Sequence, residues 1–585
     1  MDKKKSRNTL FIISLVLMLC GSLLAGLIQN GAGAVEIREI KIYGTYNGYY
    51  DAYLYVPKGV TAENPAPAVL AAHGFNNSKE YMTNTAIELS RRGYVVLSMD
   101  LDNHGFSAKS TVANHADNGY GTADALLYLH SLDIVDDSNV GMIGMSMGGM
   151  AIDATALKYP DLYQALFFMD SGCDVTTCPQ HHNWAISVGR TTETPPNFGA
   201  PNGVAIPTMP DAMTAYGITE AVVVGQLYGS VEDNTARIYF DHWGDHPKST
   251  DDATSIGNAV KWFGMTMKGA KDIPYTNQIW QWKFLGTSLG LLGFIIFLMT
   301  FGGVLLETPY FASLKDPVPA FKGSKGATWW VFALITAALG PILLVPIFFK
   351  FFMLNPGKLE GITTGFVGWL FVVGLISIAL LIIGFFALGK KAGADGVSYG
   401  FKWEEIGFDW KKIGKSVLLA LAVVGTSYLI LAVIVDVLKV DFRAWVVTVK
   451  TMDFRHFLVM LAYIIPLAIY FIPMAISLHG TLRPKEGKVS FAREMVINTV
   501  ILALGYFIVE AYYYVPLTFF GGPSNFGPKA LGFINGLGLF VLVPMIAMIS
   551  TYFFRKTGRI YVGAFINILL VAWYLTAANC MFGFG

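Results

Sequence analysis

The strongest chemical signal in the chain is Gly144-Met145-Ser146-Met147-Gly148-Gly149. A serine flanked two residues away on each side by glycine is the G-x-S-x-G pattern of a nucleophile elbow, which needs a strand before it and a helix after it. The apolar run Val140–Met145 supplies the strand, and Gly149–Tyr159 reads as the helix. In that frame Gly144 and Gly148 sit where a sharp turn leaves little room for side chains. Ser146 is held exposed beside a helix N-terminus, where developing negative charge is favoured. The chemistry expected is nucleophilic attack by a serine hydroxyl. No clustered His, Cys, Asp and Glu have convincing metal-ligand spacing, and no Walker or dinucleotide fingerprint is evident; no cofactor or metal is implied.

The elements that must hold this serine are those of a mainly parallel sheet. Ile37, Ile40, Ile42, Tyr50, Tyr53 and Tyr55 alternate around Asn47-Gly48, which predicts a β-hairpin. Strands and helices then alternate: strand Ala68–Ala72, helix Lys79–Arg92, strand Tyr94–Met99, a helix around Tyr120–Ser131, then the elbow and strand Tyr163–Met169. Such alternation implies a sheet with helices on both faces.

Here the sequence resembles the α/β-hydrolase superfamily, especially its bacterial esterase, lipase and dienelactone-hydrolase-like members. Besides the elbow, His73-Gly74-Phe75 ends a strand where such enzymes place an oxyanion loop. Asp100-Leu101-Asp102-Asn103-His104-Gly105-Phe106-Ser107 is similar to the superfamily's D-x-x-G-H-G-x-S stretch, and Asp245-His246-Pro247 falls at the usual station of the histidine. The resemblance covers about 30–270. It implies Ser146 as nucleophile, His246 as its base with His242 as rival, and an oxyanion hole from the backbone N–H groups of Met147 and Phe75. His73 and His104 are expected to brace loops, and His181 and His182 to lie at the surface. The acid departs from the pattern. Asn183–Gly189 reads as the strand after which an Asp is usual, but Thr192 stands there. Glu193, one residue on, is the preferred candidate, and Asp170 is the alternative. The stretch 190–212, with Pro195, Pro196, Pro201, Pro207 and Pro210, has the composition of an insert over the site.

The rest of the chain is a different kind of polymer. Of 585 residues 54% are apolar and 14% charged, against about 25% charged in an ordinary soluble domain, and the mean hydropathy is +0.48. A net charge of +1 argues against a nucleic-acid partner. From 279 onward apolar stretches are separated by short Lys/Arg-bearing loops. Segments of roughly 20 apolar residues can span a bilayer; nine are read, at Leu10–Ile28 and about 283–305, 328–353, 363–388, 416–438, 456–478, 494–515, 529–553 and 560–580. The expected organisation is an anchor helix over 1–29, an α/β-hydrolase domain over 30–278 and an all-α transmembrane domain over 279–585. The first segment is longer than a usual signal-peptide core and reads as an uncleaved anchor.

Basic loop residues set orientation. Lys3, Lys4, Lys5 and Arg7 head the chain. Alternate loops carry Lys315, Lys322 and Lys325; Lys390, Lys391, Lys402, Lys411, Lys412 and Lys415; Arg483, Lys485, Lys488 and Arg493; and Arg555, Lys556 and Arg559. The intervening loops hold only Lys358; Arg443, Lys450 and Arg455; and Lys529. The N-terminus is therefore expected in the cytoplasm, with the hydrolase domain and C-terminus outside. In that oxidising compartment Cys173 and Cys178 are expected to form a disulfide, while Cys20 and Cys580 lie in apolar segments. Asp436, Glu510 and His456 are polar residues within the spans. The combined expectation is a membrane-anchored serine hydrolase taking a lipid or amphiphilic ester through an acyl-enzyme. A catalytically weak ligand-binding domain, an acyltransferase and a peptidase remain open as alternatives, as does the oligomeric state.

Overall fold

The computed structural model describes residues 3–45, 48–109, 115–195, 198–354, 359–484, 489–522, 529–579 and 582. Asn47, Pro196, Lys358, Lys485, Lys488 and Cys580 lie outside the described residues.

Helix α1 (Lys3–Gln29) leads directly into β1 (Val35–Tyr43) and β2 (Tyr49–Pro57), which pair antiparallel with Tyr43 opposite Tyr49. There follow β3 (Ala66–Ala72), α2 (Thr83–Arg91), β4 (Val95–Met99), α3 (Thr122–His130), β5 (Val135–Met145), α4 (Met147–Lys158), β6 (Ala165–Met169), β7 (Trp184–Gly189), α5 (Pro210–Tyr216), β8 (Leu227–Tyr228), β9 (Arg237–His242) and α6 (Ala253–Thr266). The sheet order is β1-β2-β4-β3-β5-β6-β7-β9-β8. From β4 to β9 all neighbours are parallel, and the two outer strands at one edge and β8 at the other run antiparallel. Strand β3, and β5 from Asn139 to Met145, are buried on both faces because helices cover both sides, as the continuous apolar runs require. The expected helix over 79–92 divides into a 3-10 turn, Lys79–Met82, and α2. The carboxylate of Asp100 accepts the Lys79 N–H at 2.6 Å there, fixing the entry to the helix.

The remaining helices form a bundle: α7 (Trp280–Leu305), α8 (Gly326–Met353), α9 (Gly361–Gly384), α10 (Trp410–Leu438), α11 (Phe454–Ile476), α12 (Phe491–Phe519), α13 (Ala530–Gly536), α14 (Leu539–Thr557) and α15 (Tyr561–Ala578), with a short hairpin of β10 (Phe442–Ala444) and β11 (Val447–Val449) between α10 and α11. Among the described residues nine helices, α1 included, are long and apolar enough to cross a membrane. Several begin earlier than their apolar runs suggest because polar residues cap them. Asp409, Asp453 and Ser490 accept the N–H of Lys412, His456 and Arg493. The segment expected as one span over 529–553 is two helices, α13 and α14, divided near Gly536 and Gly538. A Cβ at Gly536 would meet the carboxyl end of Glu510 on α12, which marks how closely α13 and α12 approach there.

The α/β domain docks on one end of this bundle, and all nine long helices present alternate termini to it. At that end α1 joins β1, the N–H of Trp280 on α7 reaches Glu88 at 3.1 Å, and Phe352 of α8 meets Phe75. Lys439, at the end of α10, pairs with Glu39 at 3.2 Å. Arg455 of α11 donates to the Phe106 carbonyl, and Tyr514 of α12 donates to Glu193. The opposite end gathers the basic loops: Arg7 pairs with Glu307, Lys412 with Asp316, and Arg555 with Glu494. Cys173 and Cys178 are disulfide-bonded, with Cα atoms 5.2 Å apart. Asp436 is exposed, whereas Glu510 and His456 are buried.

Candidate active site

Strand β5 passes into α4 through Ser146 alone. Its φ of 52° and ψ of −119° lie where a non-glycine residue is strained by about 1–3 kcal/mol. Two hydrogen bonds hold it: the Ser146 N–H donates to the Met169 carbonyl at 3.0 Å, and the Ser171 hydroxyl donates to the Ser146 carbonyl at 2.9 Å. A Cβ at position 144 would overlap the backbone of Gly148, and one at 148 the carbonyl of Ala72. The glycines are therefore demanded by close approach of the chain. The Met147 N–H opens α4, among the donors that a helix leaves without an internal acceptor.

Ser146 and His246 line one cavity of about 180 Å³, together with Gly74, Phe75 and Asn76. The ring of His246 has its Nδ1 3.7 Å from Oδ1 of Asp170, and the Thr194 hydroxyl lies 2.9 Å from the same nitrogen. Asp170 follows β6, is fully buried, and its other oxygen accepts from the Gly189 N–H at 3.2 Å and from the Ser249 hydroxyl. Burial works against its charge, but His246, His242 and the surrounding donors outweigh it and hold the carboxyl below the usual range. Burial likewise opposes protonation of His246, yet the facing Asp170, with Glu193 and Asp245 beyond, lifts the ring above its ordinary value.

The preferred sequence candidate for the acid is positioned differently. Glu193 does not face the His246 ring: one oxygen accepts the His246 backbone N–H at 2.7 Å and the other accepts the Tyr514 hydroxyl at 2.5 Å. It is buried, and desolvation followed by the nearby Asp245 charge pushes it up to about 7. The difference arises because the strand Trp184–Gly189 turns away at Gly189 under the Asp170 carboxylate, so the side chain one residue beyond Thr192 reaches the backbone of the histidine loop. Glu193 thus fixes that loop while Asp170 faces the ring. His242, the rival histidine, hydrogen-bonds Ser249 at 3.0 Å and lies 3.6 Å from Asp170, on the far side of that carboxylate.

The other histidines divide. His73 accepts the Leu101 N–H at 3.0 Å on Nε2, and its Nδ1 lies 2.7 Å from the Gly74 carbonyl; burial pushes its pKa down to about 4, so it braces the loop as a neutral ring. His104 sits 2.7 Å from the Asp102 carbonyl. His181, expected at the surface, is buried with Nε2 2.6 Å from Asp153. The Asp100–Ser107 stretch is also structural. Asp100 accepts the N–H groups of Lys79 and Phe106, and Gly105 presses against its carboxyl with φ 50°.

Sequence reasoning missed half of the cavity wall, which the bundle supplies. Phe366, Leu539, Leu542, Tyr574 and Leu575 line it, as do Asn535 and Asn579. The amide of Asn76, next to Phe75 and at φ 60°, donates to Asn535 at 3.0 Å and Asn579 at 2.9 Å. The 190–212 stretch reaches the bundle too, through Asn202 and the Gly521 carbonyl at 3.0 Å. No motif could have marked these residues, which lie hundreds of positions from the elbow.

A family model described as alpha/beta hydrolase fold matches residues 67–199. That stretch carries the α/β-hydrolase fold. The matched range of the hydrolase domain holds Ser146, Asp170 and Glu193 and ends before His246. Among solved structures, a dienelactone hydrolase from Anabaena variabilis aligns at 16% identity over 40% of this chain and 100% of its own, with a TM-score of 0.29. A CIB-like hydrolase from Thermoplasma acidophilum aligns at 15% identity over 39% and 95%, with a TM-score of 0.28. A hypothetical protein from Pseudomonas aeruginosa aligns at 25% identity over 26% of this chain, spanning about half of its own length (47%), with a TM-score of 0.22. No curated protein sequence matches the chain.

The two carboxylates are expected to separate cleanly in a stopped assay with p-nitrophenyl acetate. Removing the charge that faces the ring, Asp170→Asn, is expected to slow turnover by about four orders of magnitude, the scale of such losses in comparable triads. Glu193→Gln keeps an oxygen for the backbone N–H and is expected to cost less than about tenfold. A ring whose charged form is favoured by the Asp170 carboxylate 3.7 Å away must lose a proton to act as a base, so kcat/KM in the parent is expected to fall as pH drops through a value above the ordinary imidazole figure of about 6.5. In Asp170→Asn that limb moves to lower pH. A larger loss in Glu193→Gln than in Asp170→Asn contradicts the assignment.

Proposed function

We propose that the protein is a serine hydrolase of carboxylic esters or thioesters, held in a membrane with its hydrolase domain outside the cytoplasm. The observation that carries this reading is the strained Ser146, at the start of α4, in one cavity with a histidine backed by a buried aspartate. In the first half of the reaction His246 takes the hydroxyl proton as Ser146 Oγ bonds to the acyl carbon. The ester C–O bond breaks and the alcohol leaves with the proton from His246. In the second half water gives its proton to His246, its oxygen bonds to the acyl carbon, and Ser146 regains its proton as the acid departs. The N–H groups of Met147 and Phe75 are the donors for the tetrahedral oxyanion, a contribution of about 3–4 kcal/mol per donor in comparable sites.

The membrane part of the proposal draws on the bundle's polarity. Nine long apolar helices alternate in direction, and the basic residues collect at the end away from the hydrolase domain, as the positive-inside rule requires of the cytoplasmic side.

Two measurements test these statements. A fluorophosphonate probe is expected to label the parent and to leave Ser146→Ala unlabelled at equal expression; undiminished labelling of the alanine variant would falsify the nucleophile. For orientation, Glu63→Cys in the hydrolase domain and Lys411→Cys at the far end are placed in a background lacking Cys20 and Cys580. An impermeant maleimide is expected to reach position 63 in intact cells and 411 only after lysis. The reverse pattern overturns the topology.

A further inference from the structure

Most of the cavity that contains Ser146 is not built by the hydrolase domain. Its wall opposite the serine is formed by helix ends of the bundle: Phe366 from α9, Leu539 and Leu542 from α14, Tyr574 and Leu575 from α15, with Ile534 of α13 beside them. Leu539 and Leu542 are three residues apart and so share one face of α14. Among the described residues no Asp, Glu, Lys or Arg lines the cavity. A cationic group brought here would lose its hydration without an anionic partner in the lining, whereas each buried methylene gains about 0.8 kcal/mol. Polar side chains line it too, Asn77, Tyr81, Thr194 and Thr448 among them, while Asn76 is tied to Asn535 and Asn579 of the bundle across the seam.

We propose that this wall is an acyl-chain site, so that the bundle selects esters by the length of a neutral, short or medium acyl group. The inference rests on the serine-hydrolase reading and deepens it. Two features choose this occupant. The volume of about 180 Å³ is below the about 300–1,000 Å³ typical of drug-sized ligands, which suits a short acyl group. In an acyl-enzyme the acyl group is the part that stays on Ser146 while the alcohol must leave toward water. The apolar side chains of α14 and α15 suit the group that stays.

The test is a chain-length series on the full-length protein in detergent, with p-nitrophenyl acetate, butyrate, hexanoate, octanoate and palmitate, alongside alkyl acetates of rising alcohol length. In the parent, kcat/KM is expected to rise by about fourfold per added methylene, from 0.8 kcal/mol each, to an optimum at butyrate or hexanoate and to fall steeply at palmitate. The alkyl acetates are expected to show no such trend. Leu542→Trp fills the wall and is expected to lower the hexanoate-to-acetate ratio at least tenfold. Leu542→Ala enlarges it and is expected to move the optimum toward octanoate, which keeps the proposal testable if the tryptophan variant fails to fold. A flat acyl series, a trend confined to the alcohol, or ratios unmoved in both folded variants overturns the acyl site while leaving the serine hydrolase intact. Absence of any ester turnover together with absent Ser146 labelling overturns the functional reading beneath it.

Discussion

Polar groups sealed between two packed bodies must find partners inside the seam, because a buried donor or acceptor left unmade costs about 1–3 kcal/mol. The carboxyl edge of the sheet meets the helix ends under that constraint. Buried Lys450, just past the β10–β11 hairpin, donates to Ser78 and Glu80 at 2.6 Å each. Lys79 pairs with Asp51 at 2.6 Å and with Asp100 at 3.4 Å behind them. These charges are paired within a low-dielectric contact, where removing one partner typically costs about 3–5 kcal/mol. They fix the loop that carries Gly74, Phe75 and Asn76, and so the geometry beside Ser146 follows from how the two bodies are locked together.

The same locking reaches His246 by a second route. Tyr514 on α12 holds Glu193, which holds the backbone N–H of His246, while Asp170 faces the ring from within the sheet. The ring is thus oriented from one side by a strand end and from the other by a helix of the bundle. Trp573 on α15 donates to the Lys450 carbonyl at 2.7 Å, so α15 is tied both to this seam and, through Asn579, to Asn76. The wall over the cavity is made from helix ends of the bundle, among them Leu539, Leu542 and Leu575.

The elbow could be read from the sequence because a close crossing of backbone leaves only glycine at positions 144 and 148, and that demand is written in the residues themselves. The parallel sheet could be read because burial on two faces forces unbroken apolar strands. The alternation of the nine helices followed from the basic loops. Which carboxylate faces the His246 ring could not be read: Asp170 and Glu193 are both carboxylates just past strand ends, and only the path of the chain beyond Gly189 decides between them. The cavity wall depends on residues such as Leu542 and Tyr574, whose neighbours along the chain are also apolar. Information of that kind lies in contacts between distant segments and leaves no local pattern.

The central claim is that the bundle completes the site around Ser146, and it can be examined by tethering a probe to that serine. An alkyl fluorophosphonate carrying a diazirine at the end of a short chain would be reacted with the full-length protein in lipid nanodiscs, irradiated, and mapped by peptide mass spectrometry. The account predicts attachment at Ser146 and photo-cross-links to the start of α14, around Leu539 and Leu542, or to Tyr574 and Leu575 of α15. Cross-links confined to the hydrolase domain, with none in the bundle, would contradict it.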